Sequence, residues 1–469
     1  MDSVLKKMQH SFSKEGVVSA KTRIDRLDRA IALLVEHQKE ICDALSSDFG
    51  HRSTHLSLLT DIAGPIAALK YSKKHVRKWM KPEKRQPMFP LGFFGSKAWV
   101  EYQPKGVIGL ISPWNFPIIL TFSPLSDVLV AGNRCMIKPS EFTPTTSDLM
   151  MRLIAEYFDE TEIAVFPGGP EVGQAFSHLP FDHLIFTGGT SVAKHIMKAA
   201  AENLVPVTLE LGGKSPVIVS RSAPSPLTVD RLVMGKMNNA GQICIAPDCL
   251  FVPEEKSADF VAEVQSTVKR MYPTLKENPD FTSVLNASHR ARLDGYLEDA
   301  RNKGATLLEI NPAHEDFSQQ THHKMPLTLV LNPTDDMQVM QDEIFGPIWP
   351  VKTYQDIQET IDYINSRPRP LALYYFGKDS QETRRVLDHT ISGGVLVNDV
   401  IMQFTQDDLP FGGIGPSGMG QYRGHVGFKA FSHTKSVLKQ TSLDIYSMTG
   451  MCPPFGKKME KILSGKIKK

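Results

Sequence analysis

The run H-L-I-F-T-G-G-T-S-V-A-K-H-I-M-K-A-A-A-E-N-L, residues 183–204, decides how the rest of the chain is read. His183 to Phe186 form a short apolar run with the length of a buried strand. Gly188 and Gly189 follow, and then Val192, Ile196 and Ala199 recur at helical spacing. A strand that turns through two glycines into a helix is the first part of a βαβ unit, and it exposes free backbone N–H groups at the helix start. Gly188 and Gly189 allow a tight turn and the close approach of a ligand. Ser191 is placed to cap the helix, whose N-terminal partial charge favours an anion. An ordinary βα turn has the same look, so the surrounding sequence must carry the argument.

Upstream, short apolar runs alternate with helical patterns. W-V-E-Y (99–102), G-V-I-G-L-I (106–111), C-M-I-K (135–138) and I-A-V-F (163–166) suit strands, and 144–158 and 191–203 suit helices. Downstream, a second set runs through P-V-I-V (216–219), C-L-F-V-P (249–253), F-V-A-E-V (260–264), S-V-L-N (283–286), L-A-L-Y-Y-F (371–376) and G-V-L-V-N (394–398). Strands that alternate with helices predict parallel sheets, here in two consecutive α/β halves that meet at E-L-G-G-K, 210–214. Ahead of both, Ile24, Leu27, Ile31, Leu34, Ile41 and Leu45 predict one helix over 21–46, stopped by Gly50. A second helix is predicted over 54–80, then a solvated connector, K-P-E-K-R-Q-P.

Composition narrows the function classes. In 469 residues, 53 Lys+Arg stand against 51 Asp+Glu, a net charge of +2, which offers no electrostatic case for nucleic-acid binding. With 41% hydrophobic and 22% charged residues the chain is globular. At about 150 residues per domain it should hold two to four domains. The N-terminus has no apolar core of a secretory signal, and no run reaches the roughly 18 apolar residues of a membrane span. The five cysteines, few and irregularly spaced, fit a reducing compartment. A cytoplasmic protein is expected, with a Lys-rich, solvated tail over 453–469.

Two segments carry chemistry. The only literal G-x-G-x-x-G, Gly413 to Gly418, opens no helix and is set aside as a tightly turned or mobile loop. Lys138 closes a strand whose next residue is proline, at the carboxyl end where open α/β sheets bind ligands. With Glu141 it could share a ribose diol. Glu141 disfavours a 2′-phosphate and Lys138 tolerates one, so NAD is expected, with NADP as the alternative. Cys244, in N-A-G-Q-I-C-I-A-P, lies in a Gly- and Pro-bounded segment and alone has the setting of a nucleophile. Cys42 and Cys135 read as core, Cys249 as a strand residue and Cys452 as tail. There is no G-x-S-x-G or H-E-x-x-H, His322-His323 reads as solvated loop, and no metal is expected.

Taken together, P-W-N-F-P (113–117), K-P-S-E (138–141), F-T-G-G-T (186–190), E-L-G-G-K-S-P (210–216), G-Q-I-C (241–244), E-I-F-G-P (343–347) and P-F-G-G-I-G-P-S-G (410–418) resemble the aldehyde dehydrogenase superfamily. The order is the family's, and the motifs span about residues 20–440. M-Y-P-T-L-K-E-N-P-D and R-P-R-P-L-A-L-Y-Y-F-G resemble the class 3-like branch, within it the enzymes that oxidise coniferyl aldehyde. One departure is Ala193, where the family often has Gly.

The resemblance implies a fold of two Rossmann-type parallel-sheet α/β domains plus a small β oligomerisation arm. The dinucleotide-binding domain would take 1–86 and 105–211, the catalytic domain 212–428, and the arm 87–104 and 429–445. A basic tail, 446–469, would follow. It implies a homodimer or a dimer of dimers, and NAD(P)-dependent oxidation of an aldehyde, aromatic such as coniferaldehyde or medium-chain. Cys244 would be the nucleophile, Asn115 an oxyanion donor and Glu210 the base for hydrolysis. Lys138, Glu141, Gly188, Gly189, Ser191, Glu343 and Phe345 would bind the cofactor, and Phe116, Leu120, Met402 and Phe404 would line the substrate entrance. Two rivals stand beside this: a relative that passes the acyl group to coenzyme A or reduces an acyl phosphate, and a catalytically silent binding or structural protein. Glu210 argues against the first, and Asn115, Glu210 and Cys244 together against the second.

Overall fold

The computed structural model describes residues 1–468. Its first sheet has the strand order Gly418–Met419, Val207–Glu210, His183–Thr187, Val107–Ile111, Arg134–Lys138, Ile163–Val165. The five strands inside the first half are mutually parallel, and Gly418–Met419 joins antiparallel. Strand order reverses beside Val107–Ile111, whose two neighbours continue the chain in opposite directions across the sheet. A crevice therefore opens at the carboxyl ends of Val107–Ile111 and His183–Thr187, the place where such sheets bind ligands.

The second sheet runs Thr306–Ile310, Leu327–Leu331, Ile348–Tyr354, Cys249–Pro253, Pro216–Val219, Ala372–Phe376, Gly394–Val397. All but the first pairing are parallel. Both sheets are built from apolar strands buried on two faces, as parallel sheets require. A third sheet is antiparallel: Glu83–Arg85, Lys97–Pro104 and Ser432–Lys439. It ties the start of the first half to the residues after the second.

Several expectations need correction. The helix over 21–46 is two helices, Ala20–Glu36 and Gln38–Asp48, broken at His37 (φ −107°, ψ 16°). Apolar spacing continues through the break, so the pattern carries no sign of it. The helix over 54–80 is wound in three pieces: Thr54–Ser57, a π-turn at Leu58–Ala63 and Gly64–Trp79. F-V-A-E-V lies inside the helix Ser257–Met271, where Phe260, Val264 and Val268 are buried four residues apart. S-V-L-N is no strand; its amides bond His51 O, His323 O and the Gln242 side chain. Asn286, at its end, caps the helix Ala287–Asn302 through the His289 N–H at 3.0 Å, a bond worth about 1 kcal/mol in typical helices. The connector K-P-E-K-R-Q-P is partly a strand, Glu83–Arg85. Thr306–Ile310, Leu327–Leu331 and Ile348–Tyr354 were outside the expected strands. Among the described residues the tail holds the end of a short helix, Ile445–Thr449, and a second, Lys457–Lys466, with no buried residue.

Candidate active site

The first sheet offers its carboxyl edge and the second its amino edge to the same space. Strands Val107–Ile111, Arg134–Lys138, His183–Thr187 and Val207–Glu210 end there, with Lys138 and Glu210 as last strand residues and Asn115 and Gly188 in the loops that follow. Strands Pro216–Val219, Cys249–Pro253 and Ile348–Tyr354 start there, preceded by Gly212, Cys244 and Glu343. Between them lies a cavity of about 1280 Å³. Its walls include Asn115, Leu120, Lys138, Glu141, Gly188, Gly189, Ser191, Glu210, Cys244, Glu343 and Phe345.

Cys244 follows the helix Leu227–Met237 and a short turn in which Asn239, Ala240 and Gly241 all have positive φ (49°, 53° and 74°). A Cβ on Gly241 would lie 2.5 Å from Gly346 O, so only glycine lets the cysteine turn touch the turn that carries Glu343 and Phe345. The buried Gln242 locks the loop: its amide donates to Asn239 O (2.9 Å) and Ser283 O (3.0 Å) and accepts the Leu285 N–H (2.9 Å). Asn115 is buried, and its Nδ2 donates to Gln242 O at 3.1 Å. The second N–H of that amide has no protein acceptor among the described residues, and Asn115 and Cys244 line the same cavity.

The carboxyls are poised unusually. Glu210 is only 2% exposed and neither side-chain oxygen has a hydrogen-bond partner. Burial alone pushes its carboxyl well above the ordinary range. Its backbone is held firmly: Glu210 O accepts the Gly188 N–H (3.0 Å), and the next residue's N–H bonds Ser417 O (3.1 Å). The G-I-G-P-S-G turn therefore braces this strand. Glu343 rises to about 8, first through burial and then through Asp248, and its Oε1 has no partner. The half-buried Cys244 thiol is also pushed up, by burial and by the Glu343 and Glu210 carboxylates. The backbone N–H groups of Cys244 and Ile245 oppose that shift. No cationic side chain is among the causes, and only the two backbone amides favour the thiolate.

The crevice fits a dinucleotide on its own geometry. Gly189 is the N-cap of the helix Thr190–Glu202, and a Cβ there would meet nothing within 4 Å, leaving the helix N-terminus open to an anion. Ser191 does not cap it: the helix starts one residue earlier, so Ser191 lies in the first turn and only lines the cavity. Ala193, the departure from the family pattern, is buried and small enough to keep helix and strand packed. Lys138 Nζ lies 3.0 Å from Glu141 Oε2, the arrangement a ribose diol would bridge. A Cβ on Gly212 would stand 2.3 Å from the Glu343 oxygens, so glycine is what lets that carboxyl reach inward.

Phe116, Met402 and Phe404 stand outside these walls. Phe116 is buried under the Arg52 guanidinium, 4.7 Å from its ring. Met402 is 42% exposed, and Phe404 packs between Arg423 (4.1 Å) and Phe411 (4.8 Å). Tyr374 links their turn to the nucleophile loop: its hydroxyl donates to Ile245 O (2.5 Å) and accepts from Ile401 N (3.3 Å) and Gln403 Nε2 (3.2 Å). Sequence reasoning passed over His289 and Arg292. The helix Ala287–Asn302 brings both to the cavity, where Arg292 donates to Ile344 O at 2.8 Å and His289 lies 4.8 Å from the Trp114 ring. Their i,i+3 spacing was the one available signal.

Comparison with known proteins closes on the same architecture. The profile of the aldehyde dehydrogenase family matches residues 1–437. A Caulobacter vibrioides protein named probable coniferyl aldehyde dehydrogenase is 58% identical over 471 aligned positions, covering 100% of this chain and 97% of that one. Coniferyl aldehyde dehydrogenase of a Pseudomonas species is 53% identical, covering 99% and 95%. The solved structure described as the substrate bound state of Staphylococcus aureus AldH superposes with a TM-score of 0.91 at 35% identity, over 99% of both chains.

Proposed function

The chain belongs to the aldehyde dehydrogenase family, and from that premise we propose how its residues oxidise an aldehyde with NAD(P) and which aldehyde they take. Cys244 Sγ, once deprotonated, attacks the carbonyl carbon. The oxyanion so formed is received by the free N–H of Asn115 and the Cys244 backbone N–H, each such donor being worth about 3–4 kcal/mol in comparable sites. NAD(P), when bound, supplies the acceptor for the hydride that leaves this adduct. Cys244 then carries a thioester, and Glu210 takes a proton from the water that hydrolyses it. Burial raises the Glu210 carboxyl and so makes its anion a stronger base that forms at higher pH than an ordinary carboxylate, so turnover should rise with pH. Lys138 and Glu141 would hold one ribose, Gly188 and Gly189 would admit the pyrophosphate, and Glu343 and Phe345 would hold the nicotinamide end.

The single observation that carries this reading is the joint placement of Asn115, Glu210 and Cys244 on one cavity, with Glu210 unpartnered. A product assay separates the coenzyme A-dependent rival: free carboxylate is expected, and acyl-CoA would overturn the role of Glu210. An aromatic substrate of the coniferaldehyde type is favoured by the names of the 58% and 53% identical relatives. Leu120 on the cavity wall and the Met402–Phe404 turn, tied to Ile245 through Tyr374, would supply its apolar entrance. A panel of coniferaldehyde, benzaldehyde and hexanal, each with NAD and NADP, tests this. Coniferaldehyde with NAD should have the largest kcat/KM; a preference for hexanal would contradict it. The division into residues 1–86 and 105–211, 212–428, and an arm of 87–104 with 429–445 belongs to the same proposal. So do a homodimer or dimer of dimers built through that arm and a cytoplasmic location.

A further inference from the structure

Behind the Asn115 turn, away from the cavity, lies a fully buried ion pair that the chemistry above does not use. Arg52 Nη2 donates to Asp61 Oδ2 at 2.7 Å, and both side chains have 0% exposure. Arg52 Nη1 donates to Asn115 O at 2.7 Å. Asp61 Oδ1 accepts the N–H groups of Ile118 and Ile119, each at 3.2 Å. The guanidinium is sandwiched between the rings of Phe49 (4.8 Å) and Phe116 (4.7 Å). Asp61 comes from the π-turn Leu58–Ala63, the irregular stretch of an otherwise regular helical run.

Burying two charges is expensive, and an apolar pair of the same volume often serves stability equally well. What an apolar pair cannot do is hydrogen-bond three backbone groups of one turn at once. Arg52 holds the carbonyl of Asn115, and Asp61 holds the amides that open the helix Ile119–Ala131. Asn239 Nδ2 grips the same carbonyl at 3.2 Å from the cysteine loop. The Asn115 backbone is thus fixed on both sides, and its amide is left one direction for its second N–H.

We propose that the Arg52–Asp61 pair is a positioning device for Asn115, setting kcat without touching substrate or cofactor. The inference rests on the oxyanion role of Asn115, so the test includes that residue. Arg52→Lys keeps a charge for Asp61 but lacks the fork that reaches both partners. It should lower kcat about 10- to 100-fold, the scale of an ångström-sized misplacement, with NAD affinity within about twofold of wild type. Asn115→Ala should cost about 10²–10³-fold. In the Asn115→Ala background, Arg52→Lys should cost nothing further, because a residue acting only through Asn115 has nothing left to position.

All rates are scaled to NAD-binding sites by fluorescence titration, which counts folded enzyme. Where the single exchange fails to fold, the joint Arg52→Met/Asp61→Leu exchange removes both charges together and should fold while losing kcat to the same extent. Wild-type kcat in the folded Arg52 variants would overturn the inference, as would an equal loss in the Asn115→Ala background, which marks a general structural role. Wild-type kcat in Asn115→Ala itself would instead overturn the oxyanion reading.

Discussion

Glu210 and Cys244 share a cavity, and burial pushes the pKa of both the carboxyl and the thiol upward. Cys244 was legible in the sequence because its loop is bounded by glycine and proline and the other thiols fall in helix, strand or tail. Burial bears this out for its rivals, since Cys42, Cys135 and Cys249 all lie in the core. The pKa directions were not legible, because desolvation depends on what the other sheet places over a residue. Ser191 failed for a smaller reason: a one-residue shift in helix start removes a cap. Cys244→Ser should abolish dehydrogenase turnover while NAD binding persists, since an alkoxide is far less accessible than a thiolate. Cys249→Ala should keep activity. Steady-state assay and NAD titration of both check this, and turnover in Cys244→Ser would remove it from the mechanism.

At the scale of elements, the strands that carry the site were readable and several that frame it were not. Val107–Ile111, Arg134–Lys138 and His183–Thr187 are buried on both faces and show as apolar runs. Thr306–Ile310 lies at an edge with mostly half-buried or exposed residues, and its pattern is correspondingly weak. F-V-A-E-V misled because β-branched and aromatic residues serve equally well at four-residue spacing on a buried helix face. The break at His37 and the π-turn at Leu58–Ala63 left no trace, since tertiary contacts and not local propensity set them. The turns between elements make a sharper test. Gly212→Ala would push a methyl group into Glu343, so NAD affinity should fall about tenfold with thermal stability nearly unchanged, the loss of roughly one charged hydrogen bond. Unaltered NAD titration in that variant would free Glu343 from the cofactor.

At the scale of the whole molecule, two sheets meet with opposite edges, and the reaction is divided between them. Glu210 closes the strand Val207–Glu210 of the first sheet and Cys244 precedes the strand Cys249–Pro253 of the second, so in the proposed mechanism acylation and deacylation would draw on residues from different halves of the chain. Two α/β halves were visible in the alternation of strand and helix signals; that they face carboxyl edge to amino edge was not, because no local pattern encodes how sheets dock. The central claim is that Glu210 serves only the second half-reaction. Rapid mixing of Glu210→Gln with NAD and aldehyde tests it most directly. Gln keeps the size and hydrogen bonding of Glu but cannot take a proton from water, a loss of about 10²–10⁴-fold. An NADH burst approaching one per active site, followed by slow turnover, is the expected result. If the burst is blunted and mildly alkaline pH restores it, Glu210 also helps ionise Cys244; steady-state turnover close to wild type at neutral pH would contradict the account.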